Sequence, residues 1–174
     1  MNMKVLGLDV DLREQLKELL DQYGHYVVLI KVSKLYCNVC AAQQGQQASN
    51  KCPKCMGIGK AITLHKIKAI DETATEVLIL PNATIASDVG DIYANAKAFY
   101  LDYTTTPKAG DFIFEVTWAG ENIGKIVGMY TVAHAEPLRM EHGRTEYYRV
   151  AGHREIDNMD FKERSMKRLP LRRS

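Results

Sequence analysis

Four cysteines gathered into a nineteen-residue window carry the clearest chemistry in this chain, as Cys37-Asn-Val-Cys40 and Cys52-Pro-Lys-Cys55. Two residues between cysteines let both thiolates of a pair face one ion from a tight turn. Two such pairs supply four sulfurs for a tetrahedral metal at about 2.3 Å each. Gly57 and Gly59 follow the second pair and suit the positive-φ backbone that a metal-binding turn uses. The first pair runs into Ala41-Ala42 and lacks that glycine. Two disulfides, or four buried free thiols, are the alternatives. A reducing compartment opposes the first and tight clustering opposes the second, so the spacing predicts a structural zinc on Cys37, Cys40, Cys52 and Cys55. The loop Ala41–Asn50, rich in Gln, Ala, Ser and Gly, has no apolar core of its own. Metal ligation must then stabilise the insertion, and zinc closed by four protein ligands has no open position for catalysis.

The remaining residues offer no catalytic constellation. GxSxG, HExxH and phosphate-loop patterns are absent from the sequence, and Gly57-Ile-Gly59-Lys60 lacks the spacing and the Ser/Thr that cradle phosphate and magnesium. The five histidines, at 25, 65, 134, 142 and 153, show no mutual metal or triad spacing and read as structural. Asp111, after Gly110 at a strand entrance, reads as turn chemistry. Tyr93, Phe99, Tyr100, Tyr103, Phe112, Phe114, Trp118, Tyr147 and Tyr148 could stack on bases, but their placement in strand patterns favours packing. The expectation is a protein that is not an enzyme.

A chain of 174 residues with 46% hydrophobic and 25% charged residues has enough apolar matter for one domain with a small insertion. No aliphatic run approaches the roughly 20 residues that cross a bilayer, and no apolar segment of a secretory signal opens the chain. A protein folded in the cytoplasm, with no membrane partner, is expected. Net charge is only +2. The segment 161–174 nevertheless holds Lys162, Arg164, Lys167, Arg168, Arg172 and Arg173 against Glu163 alone, so the basic character is assigned to the tail, as a contact for DNA or an acidic neighbour.

Positioning these groups falls to a helix and a series of strands. Asp11-Leu-Arg-Glu14 has the form of a capping box, and Leu12, Leu16, Leu19, Leu20 and Tyr23 recur at helical spacing up to Gly24, a suitable C′ residue. His25–Tyr36 reads as a strand into the first cysteine pair and Lys60–Ile70 as a strand out of the second, placing the metal module at a hairpin tip. Further strands are expected at Glu76–Ser87, Ala98–Tyr103, Phe112–Trp118, Lys125–Ala135 and Thr145–Ile156, separated by Gly, Pro and Asn turns. The fold class is therefore mainly β, a small antiparallel barrel or sandwich with an N-terminal helix and a zinc-ribbon-like insertion. The division is 1–36 with 60–157 as the β domain, 37–59 as the zinc knuckle and 158–174 as a basic arm that orders on a partner.

The order of these motifs resembles neck proteins of tailed bacteriophages. The resemblance lies in Tyr23-Gly24-His25, the strand into Cys37–Cys40, and Cys52-Pro-Lys-Cys55-Met-Gly57-Ile-Gly59. It continues in Thr106-Pro107-Lys108-Ala109-Gly110-Asp111-Phe112-Ile113, which is similar to the strand entrance of head-closure and stopper proteins. Gly128-Met-Tyr130-Thr-Val132, Pro137-Leu138-Arg139, Gly143 and Glu146-Tyr147-Tyr148-Arg149-Val150 follow in the same order. The resemblance implies a β-barrel assembled as a sixfold or twelvefold ring of the virion neck, between portal or adaptor and the tail terminator or another tail protein. Such a head-to-tail connector closes the exit for packaged double-stranded DNA. The glycine-free first knuckle and the basic tail depart from the pattern. Subunit contacts are expected along strand edges and the segment Ser87–Tyr103, with Tyr93, Phe99 and Tyr100.

Two other classes compete. A zinc-ribbon nucleic-acid-binding protein accounts for cysteines and tail, although the knuckle itself holds only Lys51 and Lys54. A chaperone-like reading rests on the CxxCxGxG form at Cys52–Gly59, which J-proteins repeat four times and this chain carries once.

Overall fold

The computed structural model describes residues 3–5, 8–40, 50–73, 96–139 and 143–173. Its elements are β1 (Met3–Val5), β2 (Leu8–Val10), α1 (Leu12–Tyr23), β3 (His25–Tyr36), β4 (Lys60–Thr73) and β5 (Ala96–Asp102). They continue with β6 (Phe112–Ala119), β7 (Asn122–Arg139), β8 (Thr145–Arg154), α2 (Met159–Met166) and β9 (Leu171–Arg173). The strand expected over Glu76–Ser87 lies outside the described residues, as do Tyr93 and His142.

The fold is mainly β. Strands β3, β6, β7, β8, β5 and β4 pair in that order, all antiparallel, and the β3–β4 pairing closes the sheet into a six-stranded ring. Side chains of a strand alternate faces, so a closed ring has an interior and an exterior set. Val27, Leu29, Ile67, Ala69, Phe99, Leu101, Ile113, Tyr130, Val132 and Val150 form the buried interior. Phe99 stacks edge-on against Tyr130 there, at 5.2 Å between ring centres.

A second core lies outside the ring, where β3, β6 and β7 carry apolar residues on both faces: Val28, Ile30, Phe114, Val116 and Met129. These residues demand a cover, and the C-terminal segment supplies it. Met166 of α2 is fully buried on this face, Leu169 and Leu171 pack beside it, and β9 joins the edge of β4 in parallel, Leu64 opposite Leu171. The expectation of an arm that orders only on a partner is corrected: Met159, Met166, Leu169 and Leu171 give the basic segment an apolar face that the ring needs covered.

Of the segment expected to make subunit contacts, residues 87–95 lie outside the described residues, and the rest is largely β5. β5 is paired on both edges, by β4 and β8, so it has no free edge for strand addition, and Phe99 points into the core. Tyr100 donates to Glu72 at 3.0 Å. Helix α1 starts as expected on Asp11, whose Oδ1 accepts from the Arg13 N–H at 3.0 Å. Gly24 is not left-handed, with φ −72°. It is glycine because a Cβ would lie 2.3 Å from the Leu20 carbonyl oxygen as the chain turns into β3.

Candidate metal centre

The cysteine module connects β3 to β4 and is built by short backbone bonds. The Cys37 N–H donates to the Gly59 carbonyl at 3.0 Å, Gly57 N–H to Cys52 at 3.2 Å and Ile58 N–H to Cys55 at 3.0 Å. Gly57 and Gly59 have φ of 82° and 80°, the left-handed geometry that their sequence position suggests. At Gly57 a side chain is doubly excluded, because a Cβ would come within 2.5 Å of the Asn50 carbonyl oxygen.

These turns bring all four sulfurs together. Cys37 and Cys52 Sγ lie 3.9 Å apart and Cys40 and Cys55 Sγ 3.4 Å apart, with no disulfide among them. A tetrahedron with arms of about 2.3 Å has edges of about 3.8 Å, so the donor set fits a tetrahedral metal, and all four ligand atoms lie within 4.8 Å of one another. Three of the thiols are buried. Burial works against the Cys37 thiolate, yet the N–H groups of Cys40 and Val39 and the neighbouring thiols bring its pKa down to about 7. Burial and the adjacent thiols push Cys40 up to about 12, and burial raises Cys55 against the opposing Gly59 N–H. Four sulfurs crowded at one site are a donor set that a metal would hold as thiolates. Met56, between the second pair and Gly57, is 2% exposed and belongs to the outer core, tying the module to the ring.

The structure also assembles a group that sequence spacing does not reveal. His25, Asp71, Lys97 and Glu115 lie on β3, β4, β5 and β6, each two residues beyond an interior position, and so meet at one mouth of the ring. Lys97 Nζ bonds both carboxylates, and His25 places Nδ1 3.5 Å from Asp71 and Nε2 3.8 Å from Glu115. The Tyr130 hydroxyl donates to Glu115 at 3.3 Å. Burial opposes the Glu115 carboxylate, but the nearby His25 ring, the Lys97 hydrogen bond and the Lys97 charge hold it at about pKa 2. The pKa of His25 is raised, chiefly by the Glu115 carboxylate beside it. His25, Asp71 and Glu115 are close enough to share a metal ion. The ammonium of Lys97 already sits between the two carboxylates, so the arrangement serves as a charge-balanced plug. His134 and His153 are exposed strand residues, and His65 shares a hydrogen bond with Thr63. Asp111 is 3% exposed and accepts the Val32 and Lys108 N–H groups, both at 2.9 Å, which is turn chemistry tying the 107–111 turn to β3.

The six basic tail residues have different surroundings. Lys162 is half-buried, and burial lowers its pKa. Lys167 pairs with Glu163 at 2.7 Å, Arg173 with Glu121, and Arg164 donates to the Asp160 carbonyl. Arg168 is exposed, and Arg172 stands opposite His65 in the β4–β9 register. A stronger basic signal lies elsewhere in the chain. Between Asp21 and Asp71 there is no carboxylate residue and there are seven lysines, at 31, 34, 51, 54, 60, 66 and 68. Assigning the basic character to the tail alone overlooks the β3–β4 hairpin. On its outer face Lys66 lies over the rings of Tyr26 and Trp118, at 4.5 and 4.4 Å.

The chain matches no protein-family model and no curated protein. No described helix is long and apolar enough to cross a membrane.

Proposed function

We propose that this chain is a structural protein of the neck of tailed bacteriophages, without enzymatic turnover. It would form a ring between the portal or adaptor and the tail terminator or tail, close the exit for packaged double-stranded DNA and dock the tail. The observation that carries this reading is the concurrence of neck-like motifs with one closed sheet. Thr106–Ile113 leads into β6, Gly128–Val132 lies in β7 and Glu146–Val150 in β8, three neighbouring strands of the same ring. The metal of the four-cysteine site is zinc in this reading, because a closed set of four thiolates is the donor set of structural zinc. Virions made without the protein test it: DNA-filled heads that leak and do not join tails are expected. Particles that keep their genome and attach tails, or purified virions lacking this chain, refute it.

A second reading, a zinc-knuckle nucleic-acid-binding protein, is favoured by residues 22–70, which include most of the β3–β4 hairpin and hold no carboxylate side chain, and by the Tyr26–Lys66–Trp118 stack, since phosphate contacts need a basic face and bases stack on aromatic rings. Gel mobility with duplex and single-stranded oligonucleotides separates the two: steeply salt-dependent binding lost on Lys66→Glu supports the second.

A further inference from the structure

The outer face of the β3–β4 pair changes character along its length. Val28 and Leu64 belong to the core that the C-terminal segment covers. Tyr26, Lys66 and Lys68 continue that face toward the start of β3, in register, and Tyr26 is 44% exposed there. Trp118 of β6 packs edge-on against Tyr26 at 6.4 Å, and its Nε1–H donates to the Tyr26 carbonyl oxygen at 3.0 Å, so the two rings form a fixed aromatic corner. Lys17, Leu20 and Asp21 share one face of α1 and, with Tyr26, β4 and the turn after β5, enclose a cleft of about 390 Å³. That is the volume of a small-ligand site.

Three ammonium groups line the cleft, and they are unequally engaged. Lys68 pairs with Asp21 at 2.5 Å. Lys17 stands one turn before Asp21, whose carboxylate Lys68 already holds. Lys66 has no carboxylate partner among the described residues, and its ammonium rests over the rings of Tyr26 and Trp118. A cation held by ring faces gains a stronger, charge-assisted bond when a phosphate oxygen is offered. Across the cleft, Asp102 Oδ1 accepts the Thr104 N–H at 2.8 Å and the Thr104 hydroxyl at 2.6 Å, which leaves Oδ2 as an acceptor. Two available ammonium groups, an aromatic wall and one carboxylate acceptor match a ligand that carries a phosphate, a flat ring and a hydroxyl or amine donor. A nucleotide carries all three.

We propose that the cleft between α1 and β4 binds one unpaired nucleotide. Its phosphate lies between Lys17 and Lys66, its base stacks on the Tyr26 ring that Lys66 uncovers in turning to the phosphate, and a sugar hydroxyl or exocyclic amine donates to Asp102. The base is unpaired because a base inside a duplex is stacked between its neighbours and has no face to offer a side chain. The nucleotide is either free or one unit of a single strand, and the recognising chemistry is the same for both. The site shares its aromatic rings with the nucleic-acid reading above but goes beyond it, since it is a cleft for a single nucleotide rather than a basic face for a polyanion.

Trp118 is the one tryptophan of the chain, so its fluorescence, excited where nucleotides do not absorb, reports the site directly. The full-length protein is titrated with AMP, single-stranded oligoadenylate, adenosine and inorganic phosphate, each to about 5 mM, a range that covers millimolar and tighter binding. Calorimetry supplies affinities for variants whose own fluorescence differs. AMP should quench Trp118 saturably and bind at least about tenfold more tightly than adenosine or phosphate. Lys66→Ala should weaken AMP by about tenfold and Lys17→Ala severalfold, while Lys66→Arg keeps the affinity. Tyr26→Leu should cost about tenfold through the lost stack, and thermal melting identifies any variant that has unfolded. Tighter binding of oligoadenylate than of AMP, with the same sensitivity to both lysines, assigns the cleft to a unit of a strand; binding of AMP alone assigns it to a free nucleotide and refutes the nucleic-acid reading. Absence of quenching by both, adenosine or phosphate as effective as AMP, or an AMP affinity that either lysine-to-alanine change leaves unaltered overturns the site. Oligonucleotides that shift in a gel without quenching Trp118 also overturn the cleft, and leave the nucleic-acid reading standing.

Discussion

Substituting Met166→Ala asks whether the C-terminal segment is a free basic arm or a structural cover. The side chain is fully buried on the outer core, in a cluster with Val28, Ile30, Phe114 and Met129. Removing such a buried methionine costs about 2–5 kcal/mol, the larger values where the cavity cannot collapse. The eight-residue helix α2 has few other holds: Met159, Leu169 and Leu171 are only partly buried, and Glu163 accepts the Ile126 N–H at 3.2 Å. A helix this short is marginal in isolation. The lost energy therefore appears as local release of the segment, while the ring stays closed by its own strand pairing. A penalty of about 2–3 kcal/mol at about 1.4 kcal/mol per tenfold should speed tryptic cleavage after Arg164, Lys167 and Arg168 by roughly 30- to 150-fold. The measurement is the rate of those cleavages by mass spectrometry under native conditions, with protection of β6–β8 amides followed by hydrogen exchange. Equal cleavage rates in wild type and variant would refute the reasoning, since the arm would then already be detached.

Replacing Cys52 by Ser should abolish the bound metal, one equivalent per chain in protein purified without chelator, and expose the 37–59 region to protease. Loss of order at Met56 should also loosen the outer core, readable as faster exchange in β4 near Leu64. Stability should depend on pH through the mouth cluster. Glu115 titrates at about 2 when folded against a usual 4.5, so its contribution is present above pH 4.5 and is lost as pH falls from there toward 2. With screening at a partly wet mouth this is about 1–2 kcal/mol, and Glu115→Gln should flatten the acid limb of urea melts. His25 is raised, so its contribution is complete below its unfolded value of 6.5 and disappears as pH rises through the higher folded value. His25→Gln should remove that alkaline decline and, because His25 helps to hold Glu115 ionised, make the acid limb shallower without abolishing it while Lys97 remains. Asp111→Ala leaves the Val32 and Lys108 N–H groups without their acceptor and should cost about 2–3 kcal/mol in chemical denaturation; an unchanged midpoint would show that water replaces the carboxylate.

Local chemistry makes part of this protein readable from its sequence. The cysteine pairs are legible because two-residue spacing and a following glycine dictate how a few neighbouring backbones must turn, and that constraint does not depend on the rest of the fold. β3 and α1 are legible for the same kind of reason: a change of period at Gly24 marks where the chain stops burying a stripe and starts burying alternate residues. The mouth cluster is invisible in the sequence, since His25, Asp71, Lys97 and Glu115 are scattered over ninety residues and only ring closure makes them neighbours. The tail misleads because its charge count conceals Met159, Met166, Leu169 and Leu171, whose meaning depends on a sheet face many residues earlier in the chain. Composition and periodicity tell which residues seek burial and on which side of a strand they lie. Which strand becomes the partner, which edge is left open and which segment covers an apolar face are settled by contacts distant in sequence, and only the tertiary structure decides them.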